Sequence, residues 1–336
     1  MSQSSQSSRP LLDQRYALTH VLLEAPHQRH YAARHTELGI PVRIIAVRSP
    51  AGGRMADPDH FRACATSAAR LRHVALPLLR DFFCAEFIYY AVFDYYDGVS
   101  LAAYLARQPR RSLCDALAHA LHLCDALDYV ARQTPELVPH ITVSPDRLLR
   151  YGPTAIGLLD PGVAHWLTPS LSPATMADGA YLAPEVMAGD VVDERSIQYS
   201  IAAVFYHALI GRALHGEVAL AHDLAPLPSL ALRSVIGKAL DPRPERRFAS
   251  IELFGAALGW AARQMMPVSV ASATPQQRQV NTSTAGHVPF PSLAATPFSA
   301  PSSLPSLPSL PAVRSLRQPP GLSHPLLPLR ALRRNG

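Results

Sequence analysis

Pro139-His140-Ile141-Thr142-Val143-Ser144-Pro145-Asp146-Arg147-Leu148-Leu149, then Leu158-Leu159-Asp160-Pro161-Gly162, then Tyr181-Leu182-Ala183-Pro184-Glu185: these three runs decide how the chain is read. Downstream, Ile197 to Ile210 is apolar nearly all round, which predicts a buried helix. Leu230–Leu240 and Ser250–Ala262 read as two more helices, with Asp241-Pro-Arg-Pro-Glu-Arg-Arg247 between them. Upstream, Leu101–Arg107 and Ser112–Arg132 are helix candidates; Ser112 is a good N-cap, with Asp115 in the first turn. Before them the text is strand-like: Tyr16–Leu23 and His30–Arg34 as a hairpin, then Pro41–Val47, Leu78–Phe83 and Phe87–Phe93. Phe61–Leu71 interrupts these strands as a helix, with Phe61, Cys64, Ala65, Ala68 and Leu71 on one face.

Of 336 residues, 48% are hydrophobic and 17% charged, so a sizeable core can form. The net charge of +6 belongs to the last part of the chain. Arg278, Arg314, Arg317, Arg330, Arg333 and Arg334 follow Gln264 with no acidic residue, which leaves the preceding part neutral. No nucleic-acid-binding role is expected of that part. Cys64, Cys84, Cys114 and Cys124 are widely spaced with no Cys-x-x-Cys pair, which favours a reducing compartment and argues against a zinc site or disulfide frame. Met1–Ser8 holds no apolar signal segment, and no run of about 18 apolar residues occurs, so a cytoplasmic location is expected. Residues 1–15 are polar and expected to be disordered. The stretch 264–336 is Pro/Ser-rich and basic, includes three Ser-Leu-Pro units, and is expected to be disordered too.

The three opening runs, in their order and spacing, resemble the catalytic half of a bacterial Ser/Thr protein kinase domain. They match its catalytic loop, its metal-binding loop, and its activation segment ending in Ala183-Pro184-Glu185. The resemblance extends over residues 16–263. It implies an α+β, two-lobed protein kinase-like fold: a small antiparallel β N-lobe with one helix (16–93), a hinge (94–98) and a larger helical C-lobe (99–263). It also implies ATP with Mg²⁺ as the cofactor, and each role in phosphoryl transfer can be sought at its place.

Most of those places have changed. The three glycines of the phosphate loop fall on Leu23, Ala25 and Gln28, and Pro26 removes a further N–H. The phosphate-gripping lysine falls on Ile45, and its helix partner, a glutamate in the family, on Cys64. The chain's only lysine is Lys238, in the C-lobe, so no shift of register supplies another. Arg43 stands two residues before Ile45 on the same strand face; it should fill the nucleotide pocket, offer a displaced cation, or bend out to solvent. Phe93 belongs to the same cleft.

Thr142 takes the place of the catalytic aspartate and cannot act as a carboxylate base near neutral pH. Ser144 replaces a lysine and Arg147 a metal-binding asparagine. Asp160 is retained as the one candidate metal ligand, and Arg147 is expected to pair with it where a metal would sit; the other reading is that Asp160 caps a turn. The structural residues His140, Gly162, Glu185 and Arg247 persist, and the resemblance implies a buried Glu185–Arg247 bridge. Ile197 replaces the aspartate that opens the family's central helix. Thr168, Ser170, Ser172 and Thr175 could accept phosphate, but Ile141 stands where an arginine would read it. His119, His122 and Cys124 share a helix and are candidates for metal binding, though their i, i+3 spacing also serves ordinary packing, which is the reading expected.

The expected protein is therefore a pseudokinase: a scaffold or allosteric partner of another protein, an active kinase or other signalling protein. Its tail would dock a partner or an anionic membrane surface. Two alternatives stand beside it: a divergent Ser/Thr kinase relying on Asp160, and a nucleotide-binding sensor without catalysis.

Overall fold

β2 (Tyr16–Ala25), β3 (Gln28–His35) and β4 (Pro41–Arg48) pair antiparallel in sequence order. β6 (Ile88–Asp94) pairs with β4, and β5 (Leu79–Ala85) with β6. With β1 (Leu11–Leu12) on the edge, the sheet order is β1-β2-β3-β4-β6-β5. The computed structural model describes residues 11–25, 28–48, 57–152, 154–169, 179–214, 222–227 and 229–265. The stretch 266–336, and with it the expected tail, lies outside them.

β4 is buried from Val42 to Val47 because both faces of the sheet are covered. Val42, Ile44 and Ala46 pack outward with Tyr16, Ala33, Tyr90 and Val92. Ile45 and Val47 pack inward with Phe61, Cys64, Ala91 and Phe93. A strand covered on both sides reads as a continuous apolar run, and Arg43 is the one exception in it.

The expectation of disorder through residue 15 is corrected at its end. Leu11 and Leu12 pair with Ala17 and Tyr16, through a turn in which Asp13 and Gln14 have positive φ. Asp is among the residues that tolerate that backbone, and the leucines then extend the sheet. Helix α1 (Pro58–Ala68) also begins earlier than its apolar face suggests. Asp57 accepts from the His60 N–H, and Pro58 occupies the first turn.

Helices α2 (Leu101–Arg107) and α3 (Leu113–Gln133) follow; Ser112 caps α3 by accepting from Asp115 N. A second sheet of β7 (Val99–Ser100), β8 (Leu148–Arg150) and β9 (Ile156–Leu158) follows the same order in space. α4 (Val163–Leu167) and α5 (Pro184–Met187) are short. α6 (Glu194–Ile210) starts three residues before the apolar run, because Asp193 and Ser196 form a reciprocal capping box. α7 (Leu230–Ala239) and α8 (Ile251–Arg263) complete the helical part, each opened by a serine cap. From Ile197 through Tyr206 every α6 residue except the half-buried Tyr199 is buried, and they join α3, α7 and α8 in one core.

Among the described residues no helix is long and apolar enough to cross a membrane.

Candidate functional site: a cleft closed on Asp160

The β8–β9 hairpin sets the site. Leu148 lies opposite Leu158, so Arg147 precedes one strand while Leu159 and Asp160 follow the other. The Leu159 N–H donates to the Arg147 carbonyl at 2.8 Å, which fixes the two ends side by side. Arg147 Nη1 then donates to Asp160 Oδ2 at 3.0 Å, with both side chains buried. Gln28, at the tip of the β2–β3 hairpin, donates from Nε2 to the same Oδ2 at 2.9 Å. Oδ1 accepts from the N–H groups of Gly162 and Val163, each at 2.9 Å. Four donors on two oxygens use about the full acceptor capacity of a carboxylate. Asp160 thus both caps its own turn and pairs with Arg147.

Burial alone would push the Asp160 carboxyl up. Arg147, His30, the Val163 N–H and Gln28 outweigh it and hold the group below the usual carboxylate range. His30 approaches to 3.9 Å, but burial lowers its ring to about 4, so near pH 7 it is a neutral neighbour rather than an ion-pair partner.

The upper wall is equally filled. Gln28 and His30 are buried side by side on β3, opposite Val47 and Ile45. Of the other two expected glycine places, Leu23 pairs with His30 and Ala25 with Gln28, just beyond an irregularity in the antiparallel ladder between Val21 and Leu23. Arg43, paired with Phe93, is 8% exposed; it points into the protein rather than to solvent. Burial lowers its guanidinium pKa, with Tyr95 and Asp160 acting against the shift. Arg43 lines a cavity of about 10 Å³ together with Ala75, Tyr96, Leu149, Tyr151 and Leu158. That holds about one water molecule, against ~300–1,000 Å³ for an ordinary small-molecule site. Ile45 and Phe93 are fully buried.

In the catalytic-loop run, Thr142 is buried, and its hydroxyl has no hydrogen-bond partner among the described residues. Ser144 Oγ is turned to Asp146 Oδ1 at 2.6 Å, within its own loop. Gly162 has φ +95°, and a Cβ there would meet the His140 carbonyl oxygen at 2.0 Å, so only glycine fits. Arg247 Nη1 and Nη2 donate to Glu185 Oε1 and Oε2 at 2.6 and 2.8 Å, a bidentate bridge with the Arg247 side chain fully buried.

Thr168 is buried, and its hydroxyl donates to Ala164 O at 2.9 Å; it is held in the α4 end rather than offered for modification. Ser170, Ser172 and Thr175 lie outside the described residues. α4 packs on α1, with Trp166 and Phe61 rings 6.1 Å apart and Asp57 N donating to Leu167 O at 2.8 Å.

Sequence reasoning missed a cluster beside this cleft. His140 Nε2 lies 3.1 Å from His60 Nε2, and His60 Nε2 lies 3.4 Å from Cys64 Sγ. His140 Nδ1 faces His165 Nδ1 at 2.9 Å. His60 and Cys64 are one helical turn apart, a spacing visible in the sequence; only the fold brings His140 against them. The helix-borne trio of His119, His122 and Cys124 forms no comparable group: His122 Nδ1 accepts from Ile156 N at 3.4 Å, and His119 is buried.

These elements superpose on solved protein kinases. The kinase domain of Mycobacterium tuberculosis PknI matches with a TM-score of 0.58 and 23% identity, over 76% of this chain and all of that domain. Rad53 in complex with AMP-PNP matches with a TM-score of 0.60 and 16% identity, over 74% of this chain and 66% of that one. The fold is that of a protein kinase.

In sequence, the Ser/Thr-protein kinase PknB of Mycobacterium tuberculosis is 29% identical over 267 residues, covering 70% of this chain and 41% of that protein. Pkn1 of Myxococcus xanthus is 27% identical over 269 residues, covering 73% and 38%. The chain thus spans about two fifths of the length of these relatives. No protein-family model matches it. In fold and in sequence the chain is similar to the bacterial Ser/Thr protein kinase domain family.

The group that this family implies is a nucleotide with Mg²⁺, and the residues present do not fit it. The acceptor capacity of Asp160 is taken by protein donors, a guanidinium stands where a second metal ligand would be needed, and the cavity beneath Arg43 is far smaller than a purine base.

Proposed function

We propose that this kinase-like domain is a pseudokinase, a signalling scaffold or allosteric partner that carries out little or no phosphoryl transfer. The observation that carries the reading is the saturation of Asp160 by Arg147, Gln28 and the backbone of its own turn. A kinase needs that carboxylate to face a metal ion and the phosphates beyond it. Here a buried ion pair occupies the place, tied to the hairpin that would otherwise cover the nucleotide.

Losing one positioned electrostatic group costs about 2.7–4 kcal/mol in barrier, within a total enzymatic effect of ~8–23 kcal/mol. The base, the phosphate lysine, the second metal ligand and the glycine loop are replaced together, and although such losses do not simply add, ordinary turnover is not expected. The retained parts, Glu185–Arg247 and the all-round buried α6, hold a rigid helical lobe, which suits a binding surface. The partner is a protein, an active kinase or another signalling protein, met in the cytoplasm, where the four free thiols would stay reduced.

Transfer of the γ-phosphoryl group from labelled ATP tests this, with Mg²⁺ or Mn²⁺ and both the chain itself and a general acceptor protein as targets. No transfer above that of the Asp160→Ala variant is expected. Transfer that Asp160→Ala abolishes would show a divergent Ser/Thr kinase instead.

A further inference from the structure

We propose that His60, Cys64 and His140 form a binding site for a borderline-soft divalent cation of the Zn²⁺ class, joining helix α1 to the loop before β8. Zn²⁺ holds imidazole nitrogen at ~2.0–2.1 Å and thiolate sulfur at ~2.3 Å, so tetrahedral ligand atoms lie about 3.3–3.6 Å apart. The two direct separations are 3.1 Å (His60 Nε2 to His140 Nε2) and 3.4 Å (His60 Nε2 to Cys64 Sγ), and all three atoms lie within 4.8 Å of one another.

Hydrogen bonding alone serves this cluster poorly. His60 Nε2 faces both His140 Nε2 and Cys64 Sγ, yet a neutral imidazole nitrogen offers either one proton or one lone pair. A cation at the centre takes one lone pair from each of the three atoms. Cys64 binds as thiolate and releases its proton to solvent.

The next layer is also suited to a metal. With His140 Nε2 on the metal, its Nδ1–H donates to His165 Nδ1, 2.9 Å away, which fixes the tautomer and the ring plane. Three protein ligands leave a fourth position for water. The softness of one thiolate with two imidazoles selects against Mg²⁺ and Ca²⁺.

The site has a structural meaning in this fold. Ile45 and Cys64 stand where the family's lysine and glutamate tie α1 to the sheet. The cation would anchor α1 to the loop of His140 instead, without using Asp160, so the inference holds whether or not the cleft transfers phosphate.

The test is Zn²⁺ titration of the metal-stripped full chain against a chromophoric chelator, with Co²⁺ substitution read by absorption. One equivalent should bind, raise the melting temperature, and give tetrahedral d–d bands with a thiolate-to-cobalt charge-transfer band. Cys64→Ser should remove that band, while a Cys84→Ser/Cys114→Ser variant keeps it. Should Cys64→Ser fold poorly, His60→Gln, at a half-buried position, should weaken Zn²⁺ binding by ~100-fold or more with the far-UV spectrum unchanged. A band that survives Cys64→Ser, a band lost with Cys84 and Cys114, binding indifferent to His60→Gln, or no tight equivalent at all would each overturn the proposal.

Discussion

Gln28 and Asp160, separated by 132 residues, are joined by a 2.9 Å hydrogen bond from Nε2 to Oδ2 across the cleft. The kinase resemblance assigns Gln28 to the last glycine place of the phosphate loop and Asp160 to the metal-binding place. On that assignment the bond links the two positions between which a nucleotide's phosphates would lie. Arg147 completes the contact from below. On the proposed pseudokinase reading, these interactions would have to break before a nucleotide could enter.

Asp160 should behave as a folding residue. Asp160→Asn breaks the buried ion pair with Arg147, which typically costs ~3–5 kcal/mol. Urea unfolding should show that loss. Replacing both partners, as Asp160→Asn with Arg147→Met, should cost less than the sum of the single changes. Additive costs would mean that the two side chains do not interact.

The Glu185–Arg247 bridge should hold the helical lobe independently of the cleft. Arg247 also donates from Nε to Asp241 O at 2.7 Å, so it ties three segments together. Glu185→Gln should lower stability by about 3 kcal/mol or more, because Arg247 keeps a buried charge. Its effect should add to that of Asp160→Asn, since no partner is shared. Strong coupling between the two in a double-mutant cycle would contradict this.

Gly162→Ala should be among the most damaging single-methyl changes in the chain. The left-handed backbone costs about 1 kcal/mol for a non-glycine residue, and the added Cβ would meet the His140 carbonyl oxygen at 2.0 Å. A melting temperature within a degree or two of the parent would show that this turn is looser than described.

Stability should fall on mild acidification. Burial lowers both His30 and His119 to about 4, against about 6.5 in an unfolded chain. Between those values the unfolded state binds more protons, so stability is fully present above about pH 6.5 and declines as pH falls toward 4. Neither ring nitrogen of His119 has a hydrogen-bond partner among the described residues. His119→Leu should therefore flatten the decline and raise stability at neutral pH. An unchanged slope in that variant would remove His119 from the account.

The sequence was most legible where one local pattern decides the outcome. The near-continuous apolar run of β4, the all-round apolar run of α6 and the serine at Ser112 each announce their element. The Arg147–Asp160 contact was anticipated from the kinase resemblance, which sets both residues at the metal place; the short β8–β9 hairpin that brings them together was not read from the sequence. Gln28 was legible as a missing glycine, but its bond to Asp160 depends on how far the β2–β3 hairpin tip descends, which no local signal encodes. The His60–Cys64–His140 group had half a signal: two ligands at helical spacing, with the third supplied by tertiary packing. Leu11 and Leu12 were misjudged because a two-residue edge strand owes its existence to its neighbour β2 rather than to its own composition.

Nucleotide binding to the whole chain tests the central claim most directly. A ligand that saturates a native site at 100 times its Kd adds ~2.7 kcal/mol, or roughly 5–10 °C in Tm for a domain of this size. The account predicts no shift with millimolar ATP, with or without Mg²⁺ or Mn²⁺, for the parent chain. A saturable upward shift in the parent would contradict it.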